Sequence, residues 1–264
     1  MLNRSLIFTA VLTLSSLALA QQNSRQGTLA VTASPNATTT CAATFTSGTG
    51  RNATQYCVTT NGNITQFSRG GDEYIQVGDV SEGYGICDGS TAYFDYAFND
   101  SGNLAPATFT STATKAVSTR MTRDGIWQIT NTITKVPANG RGPGSAKVSM
   151  QIKNLTNVDR DIAIVRMADV DFSSGGTPDV NNDFDFTLDT AFGIEPGFQS
   201  GLSLTNNTFV EATAFTQNFS VGPNPCDLNA APQPFVGDGS IAMFYGVGVR
   251  KGATVTVNMT YKPI

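Results

Sequence analysis

Hydrophobic and polar residues alternate along most of the chain with a period of two. In the segment 127–134, Trp127, Ile129 and Ile133 lie on one face and Gln and Thr residues on the other. Further segments of this kind cover residues 148–153, 162–170, 241–249 and 253–261. This period is typical of antiparallel strands with one buried and one solvated face. No helical period follows residue 20, so the pattern predicts an all-β protein, a large antiparallel β-sandwich with few or no helices. A super-sandwich or a barrel would show the same periods.

Turn residues between these segments predict which strands are joined by hairpins. Asn61-Gly62 separates the strand-like segments 56–60 and 63–67, and Asn-Gly suits the two positive φ angles of a type I′ turn. Two further hairpins are expected, pairing 148–153 with 162–170 and 241–249 with 253–261.

The N-terminal residues predict export from the cytoplasm. Arg4 precedes an apolar run at 6–17, and Ala18-Leu19-Ala20 is a small-x-small cleavage site, so residues 1–20 are expected to be a signal peptide. Residues 21–40, rich in Gln, Ser and Thr, are expected to form a loose leader before a single β-sandwich domain at 41–264. The apolar run is too short for a comfortable membrane span and no later run is longer, so no span is expected. We expect a secreted protein, in the medium, the periplasm or at the cell surface.

The four cysteines of the mature chain are Cys41, Cys57, Cys87 and Cys226. In an exported protein, four cysteines favour two disulfides, and none of the spacings is the C-x-x-C of a redox or zinc motif. We expect Cys41–Cys57 to close a local hairpin and Cys87–Cys226 to join distant strands. Four buried free thiols are the alternative.

Composition excludes several classes of function. The formal net charge of −4 argues against nucleic acid as a partner, because binding phosphates requires a basic surface. The chain has no His, which excludes Ser–His–Asp and Cys–His catalysis and the usual zinc sites.

The densest group of polar residues is a candidate calcium site. Its members are Asp169, Asp171, Asp179, Asn181, Asp183 and Asp185. Oxygen ligands at this density suit calcium, and 179–185 has the first spacings of a calcium loop. Phe184 stands where an EF-hand requires Gly, and Thr190 where it requires Glu, so the segment is not an EF-hand. The alternative interpretation is a solvated Asp/Asn turn between strands, followed by the polar face of a strand at 183–189.

Two other sets of residues are candidates for chemistry or binding. Asp169 and Asp171 lie two apart on one predicted strand, about 6.6 Å between Cα atoms, and a carboxylate pair is what a glycosidase uses. The alternative is a structural role, in which the two carboxylates form a salt bridge with Arg166. Glu82 and Tyr84 stand in a Gly-rich segment that we expect to be a loop presenting an exposed aromatic side chain to a ligand.

Four short motifs carry a resemblance. They are SEGYGIC at 81–87, YFDY at 93–96, VRMADVD at 165–171 and GVGVRKGATVTV at 246–257. Together they resemble uncharacterised secreted bacterial proteins with a strand that ends in Arg-x-x-Asp-x-Asp. The resemblance implies a secreted β-sandwich and brings no known activity to this chain.

Three functional hypotheses follow from these observations. The first is a secreted, non-catalytic β-sandwich that binds extracellular polysaccharide or another surface polymer, with calcium as a candidate ion in the Asp-rich segment. It is motivated by export, polar strand faces and the lack of a catalytic motif. The second is a secreted hydrolase that uses Asp169 and Asp171. The third is a structural component of the surface or matrix.

Overall fold

The described part of the chain consists almost entirely of strands. A computed structural model describes residues 36–75, 81–140, 142–172, 180–185, 189–195, 200–208, 212–217, 224–227, 235–237 and 239–264. All of them fall within one compact unit, Thr32–Ile264. The predicted signal peptide and most of the predicted leader lie outside these residues, so the domain boundaries stay predictions.

The strands, in chain order, are separated by short turns and one 3-10 helix, Gly50–Asn52. They are β1 (Cys41–Ser47), β2 (Thr54–Thr59), β3 (Ile64–Arg69), β4 (Asp72–Glu73), β5 (Ser81–Asp88), β6 (Thr91–Ala97), β7 (Thr108–Ser111), β8 (Lys115–Met121), β9 (Trp127–Val136), β10 (Ser145–Asn154), β11 (Arg160–Asp169), β12 (Val180–Asp185), β13 (Thr190–Ile194), β14 (Gly201–Asn206), β15 (Thr213–Gln217), β16 (Phe235–Gly237), β17 (Ser240–Val249) and β18 (Thr254–Pro263).

Three antiparallel sheets share one large apolar core, and a second, smaller apolar cluster of Tyr96, Val165, Met167 and Ala242 lies on the five-stranded sheet. The nine-stranded sheet has the order β16-β12-β13-β14-β18-β10-β9-β8-β7, the five-stranded sheet β15-β17-β11-β5-β6, and the four-stranded sheet β1-β2-β3-β4. Buried side chains from all three meet in the core, including Ile129 and Met150 from the first, Ile164 and Tyr245 from the second and Phe67 from the third. The predicted all-β antiparallel sandwich is confirmed.

Two of the predicted hairpins have the right strands but the wrong pairing. Strands β10 and β11 are consecutive, yet β10 pairs with β9 and β18, whereas β11 pairs with β5 and β17. Strands β17 and β18 are divided between the two sheets in the same way. The connections at 155–159 and 250–253 therefore cross from one sheet to the other. Alternation identifies the buried face of a strand, but a short turn serves both a hairpin and a crossing between sheets.

The hairpin of β2 and β3 is confirmed, but its turn differs from the prediction. The Gly62 N–H donates to the Thr59 carbonyl at 3.1 Å, and the Thr59 N–H donates to the Asn63 carbonyl at 2.9 Å. Only Gly62 has a positive φ, +86°. The loop is thus a type I turn followed by a Gly bulge, not a type I′ turn. It is also buried, with Asn61 4% and Asn63 0% exposed, because it inserts between the two large sheets.

Replacing Gly62 with Ala is expected to lower the free energy of unfolding by about 2–4 kcal/mol. A Cβ at this position would lie 3.0 Å from the Asn131 Cβ and 3.1 Å from the Ser118 Cβ, at a positive φ that L residues avoid. Gly89→Ala is the matched control, because Gly89 has φ +62° and open space around its Cβ. Urea denaturation of both variants measures the difference, and equal losses would contradict a tightly packed turn.

Both predicted disulfides are confirmed. Cys41–Cys57 joins β1 to β2 across 16 residues, and Cys87–Cys226 joins β5 to the segment 224–227 across 139 residues. Disulfides are typical of extracellular and periplasmic proteins. In the described residues, no helix has the length and apolar character needed to cross a bilayer.

Candidate functional site

The residues predicted to contact a ligand, Glu82 and Tyr84, lie in the core. Both are on β5, which pairs with β11 on one side and β6 on the other, and both are 0% exposed. The prediction of an exposed aromatic side chain in a loop is therefore wrong. Glycine is usually depleted in strands, but here Gly83 is required, because a Cβ would lie 1.9 Å from the Asp95 carbonyl oxygen.

Glu82 forms a fully buried ion pair with Arg166. The Arg166 Nη2 lies 2.6 Å from the Glu82 Oε1, which also accepts the Tyr261 hydroxyl at 2.9 Å. The Glu82 Oε2 accepts the Ile64 N–H at 2.5 Å, and Arg166 also donates to the Gly62 carbonyl at 3.1 Å. Burial raises the pKa of Glu82, and the charge of Arg166 and these hydrogen bonds oppose that effect. Each charge is satisfied by groups from different sheets, so the pair is a structural link.

A second buried ion pair, Asp95–Arg120, lies beside the same turn. Asp95 also accepts the Asn61 side-chain amide at 2.7 Å and the Ala97 N–H at 2.9 Å. Arg120 donates from Nε to the Ala105 carbonyl at 2.8 Å. Burial raises the pKa of Asp95 to about 7, although Arg120 lowers it. The two pairs hold the tip of the β2–β3 hairpin between the large sheets.

The candidate catalytic carboxylates are almost completely buried. Asp169 ends β11 and is 2% exposed, while Asp171 follows the strand, is 5% exposed and donates its N–H to the Tyr74 carbonyl at 3.1 Å. The expected salt bridge with Arg166 is wrong, because Arg166 is an odd number of residues from Asp169 and faces Glu82 on the other side of the strand. General acid–base catalysis requires contact with the substrate, so this burial does not favour the hydrolase hypothesis.

Three of the remaining candidate calcium ligands lie on β12. Asn181, Asp183 and Asp185 belong to this strand, which pairs with β13 and β16, and Asp179 lies outside the described residues. The alternative interpretation correctly places 183–185 on a strand, but 180–182 belong to the same strand and not to a turn. Among the residues that the structure describes, no group of three or more Cys, Asp or Glu could hold a metal ion. The calcium site stays a prediction.

An extended polar surface covers the solvent side of β8, β9, β10 and β18. Along each of these strands, residues that are buried in the core alternate with residues that are at least partly exposed. The exposed set includes Val117 and Met121 on β8. We call its polar members the polar face; they are Lys115, Thr119, Gln128, Thr130, Thr132, Thr134, Lys147, Ser149, Gln151, Lys153, Thr254, Thr256, Asn258, Thr260 and Lys262. Alternation in the sequence predicts polar strand faces, but it does not show which residues share one surface. One feature of the sequence does indicate this surface. Residues 125–158 and 239–264, which include β9, β10 and β18, contain no Asp or Glu.

The strand register aligns the polar face into rows that run across the sheet. One row consists of Thr119, Thr130, Gln151 and Thr256, which are direct cross-strand partners. Adjacent strands are about 4.8 Å apart, and the hydroxyl oxygens of Thr119 and Thr130 lie 3.0 Å from each other. The face therefore presents a regular array of groups that can donate and accept hydrogen bonds.

A cleft of about 320 Å³ provides a second polar surface, on the four-stranded sheet. It is lined by Thr46, Ser47, Gly48, Ala53, Thr54, Gln55, Ser68 and Gly71. Its size is at the lower end of small-molecule sites, but its lining has no aromatic side chain, whereas such sites are mostly apolar and aromatic.

Comparison with solved structures shows a fold shared with several proteins. Known protein-family models and curated protein sequences give no match. A protein assigned as an aldose 1-epimerase from Escherichia coli K12 matches at a TM-score of 0.50 and 10% identity, over 84% of this chain and 99% of that one. A bacterial glucoamylase in complex with acarbose matches at 0.61 and 11% identity, over 88% of this chain.

A polysaccharide lyase also matches, at a TM-score of 0.50 and 12% identity over 82% of this chain. This chain spans only 33% of the glucoamylase and 33% of the lyase. At these identities the likeness shows the fold alone, a β-sandwich like that of the aldose 1-epimerase.

Proposed function

We propose that this protein binds extracellular glycan through the polar face, without catalysing its cleavage. The observation that carries the proposal is the array of hydroxyl and amide side chains in register across four strands. Sugar polymers present repeated hydroxyls, and Thr, Ser, Asn and Gln side chains can both donate to and accept from them. A face that is already ordered by its strands loses little conformational entropy on binding.

Two other observations support a glycan as the ligand. The neighbours in fold are a glucoamylase, a protein assigned as an aldose 1-epimerase and a polysaccharide lyase, all named for action on carbohydrate. Fold alone does not establish function, so this supports the class of ligand and not an activity. The disulfides favour a compartment outside the cytoplasm, where polysaccharides are abundant partners.

Removing hydroxyls from one row of the polar face is expected to weaken glycan binding. Thr130→Val with Thr256→Val keeps the shape and strand preference of both side chains while removing two hydrogen-bonding groups. At about 0.5–1.5 kcal/mol per hydrogen bond, the double variant should lose about 5- to 150-fold in affinity. Affinity electrophoresis and calorimetry with neutral and acidic soluble polysaccharides would measure the loss.

A matched double variant in the cleft, Thr46→Val with Ser68→Ala, is the control. It removes two hydroxyls from the four-stranded sheet and should leave the affinity unchanged. Loss of binding in the cleft variant alone would place the site there and contradict the polar face. Failure of the unmodified protein to bind any glycan would overturn the proposed function.

A further inference from the structure

The polar face is positively charged although the chain is acidic. The formal net charge is −4, with 20 Asp and Glu residues. None of these 20 lies in β8, β9, β10, β18 or β14, five strands that are adjacent in the nine-stranded sheet. Four of the six lysines of the chain, in contrast, lie exposed on the polar face: Lys115, Lys147, Lys153 and Lys262. Charge is therefore segregated onto this surface.

The lysines of the polar face are available to a ligand. Arg120, Arg160 and Arg166 each form an ion pair with a carboxylate, two of them fully buried. Within the described residues, none of the four lysines on the face forms an ion pair. Binding an anion there does not require an existing ion pair to be broken.

Two of these lysines stand in one row across the strands, and a third is offset from the end of that row by two residues. Lys115, Thr134, Lys147 and Thr260 are successive cross-strand partners, so Lys115 and Lys147 lie two strands apart, about 10 Å. Lys262 lies two residues beyond Thr260 on β18, about 8 Å from Lys147 between Cα atoms. A polymer that follows these residues would meet three ammonium groups and the hydroxyls of Thr134 and Thr260.

We infer that the ligand of the polar face is an acidic glycan, with Lys115, Lys147 and Lys262 binding its carboxylate or sulfate groups. The inference rests on the proposed function and adds the class of glycan. Ammonium groups complement repeated acidic groups, and the hydroxyls between them complement the sugar hydroxyls. Double-stranded DNA would use the lysines alone, because it presents phosphates but no free sugar hydroxyls to the threonines between them.

Dextran sulfate and dextran are the matched probes, because they differ only in the sulfate groups, and polygalacturonate tests carboxylates. We expect the full-length mature protein to bind dextran sulfate at least tenfold more tightly than dextran, with an affinity that falls as salt is raised. Lys147→Gln with Lys262→Gln should lose about 3- to 10-fold in affinity for dextran sulfate. Arg51→Gln with Arg250→Gln removes the same charge from exposed sites outside the polar face and should lose less than twofold.

The outcomes separate this inference from the proposed function. Equal affinity for dextran and dextran sulfate, or equal losses in the two double variants, would overturn the acidic glycan and leave glycan binding in place. Binding of double-stranded DNA as tightly as dextran sulfate would also overturn it. No binding to any glycan would overturn both. An unchanged melting temperature in each variant shows that a loss of affinity is not a loss of folding.

Discussion

Removing the Cys87–Cys226 disulfide is expected to lower the free energy of unfolding by about 5 kcal/mol. The bond closes a loop of 139 residues, and in the chain-entropy model the stabilisation grows with the logarithm of loop length. It also attaches the segment 224–227 to β5, so the covalent link constrains a part of the chain that is far from β5 in sequence.

Cys41–Cys57 provides the internal comparison, because it closes a loop of only 16 residues. Its removal should cost about 3 kcal/mol on the same model. Each pair is replaced by two Ala residues, so that no free thiol remains to form a wrong disulfide. Urea denaturation in non-reducing buffer measures both variants, and a smaller loss for Cys87–Cys226 than for Cys41–Cys57 would contradict the dependence on loop length.

Breaking the Glu82–Arg166 pair is expected to cost about 3–5 kcal/mol. Glu82→Gln keeps the size of the side chain but leaves the Arg166 guanidinium buried, 0% exposed, without a counter-charge. Removing one partner of a buried pair is much more costly than the net stabilisation that the intact pair provides, because the remaining charge keeps its desolvation penalty. The turn at Gly62, which accepts a hydrogen bond from Arg166, should loosen with it.

Asp88→Asn is the matched control, since it makes the same change from acid to amide in a partly exposed pair. Asp88 and Arg160 have side chains 11% and 25% exposed, so Arg160 keeps contact with solvent when Asp88 loses its charge, and the loss of stability should be smaller than for Glu82→Gln. A combined Glu82→Leu and Arg166→Met variant should recover only part of the stability lost in Glu82→Gln, because the Ile64 N–H and the Gly62 carbonyl lose their hydrogen bonds to the pair. If Glu82→Gln costs no more than Asp88→Asn, the buried pair does not have the structural role assigned to it.

Local patterns predicted the strands and the disulfides, whereas the pairing of strands required the tertiary structure. Ile129 and Ile133 identify the buried face of β9 because a sandwich strand has a period of two. The same pattern in β10 and β11 does not reveal that they lie in different sheets. Asn61-Gly62 was recognised as a turn, but its burial depends on Arg166 and Asp95, which are distant in sequence.

The candidate site was harder to predict than the strands, because the conspicuous residues are buried and the exposed polar face has no motif. Glu82 and Tyr84 were conspicuous in the sequence, yet glycine-rich β5 is covered on both edges by other strands. The polar face has no conspicuous motif, since its rows combine residues as distant as Thr119 and Thr256. Only the register shows that these hydroxyls and the lysines share one surface.

The central claim is that glycan binds to the polar face. Titration of the protein, labelled at threonine methyl groups, with a short oligomer of the tightest-binding polysaccharide tests this by NMR. We predict shifts that are confined to methyl groups of the polar face, such as those of Thr119, Thr130 and Thr256. Shifts confined to Thr46 and Thr54 in the cleft, or no shifts at saturating oligomer, would contradict the claim.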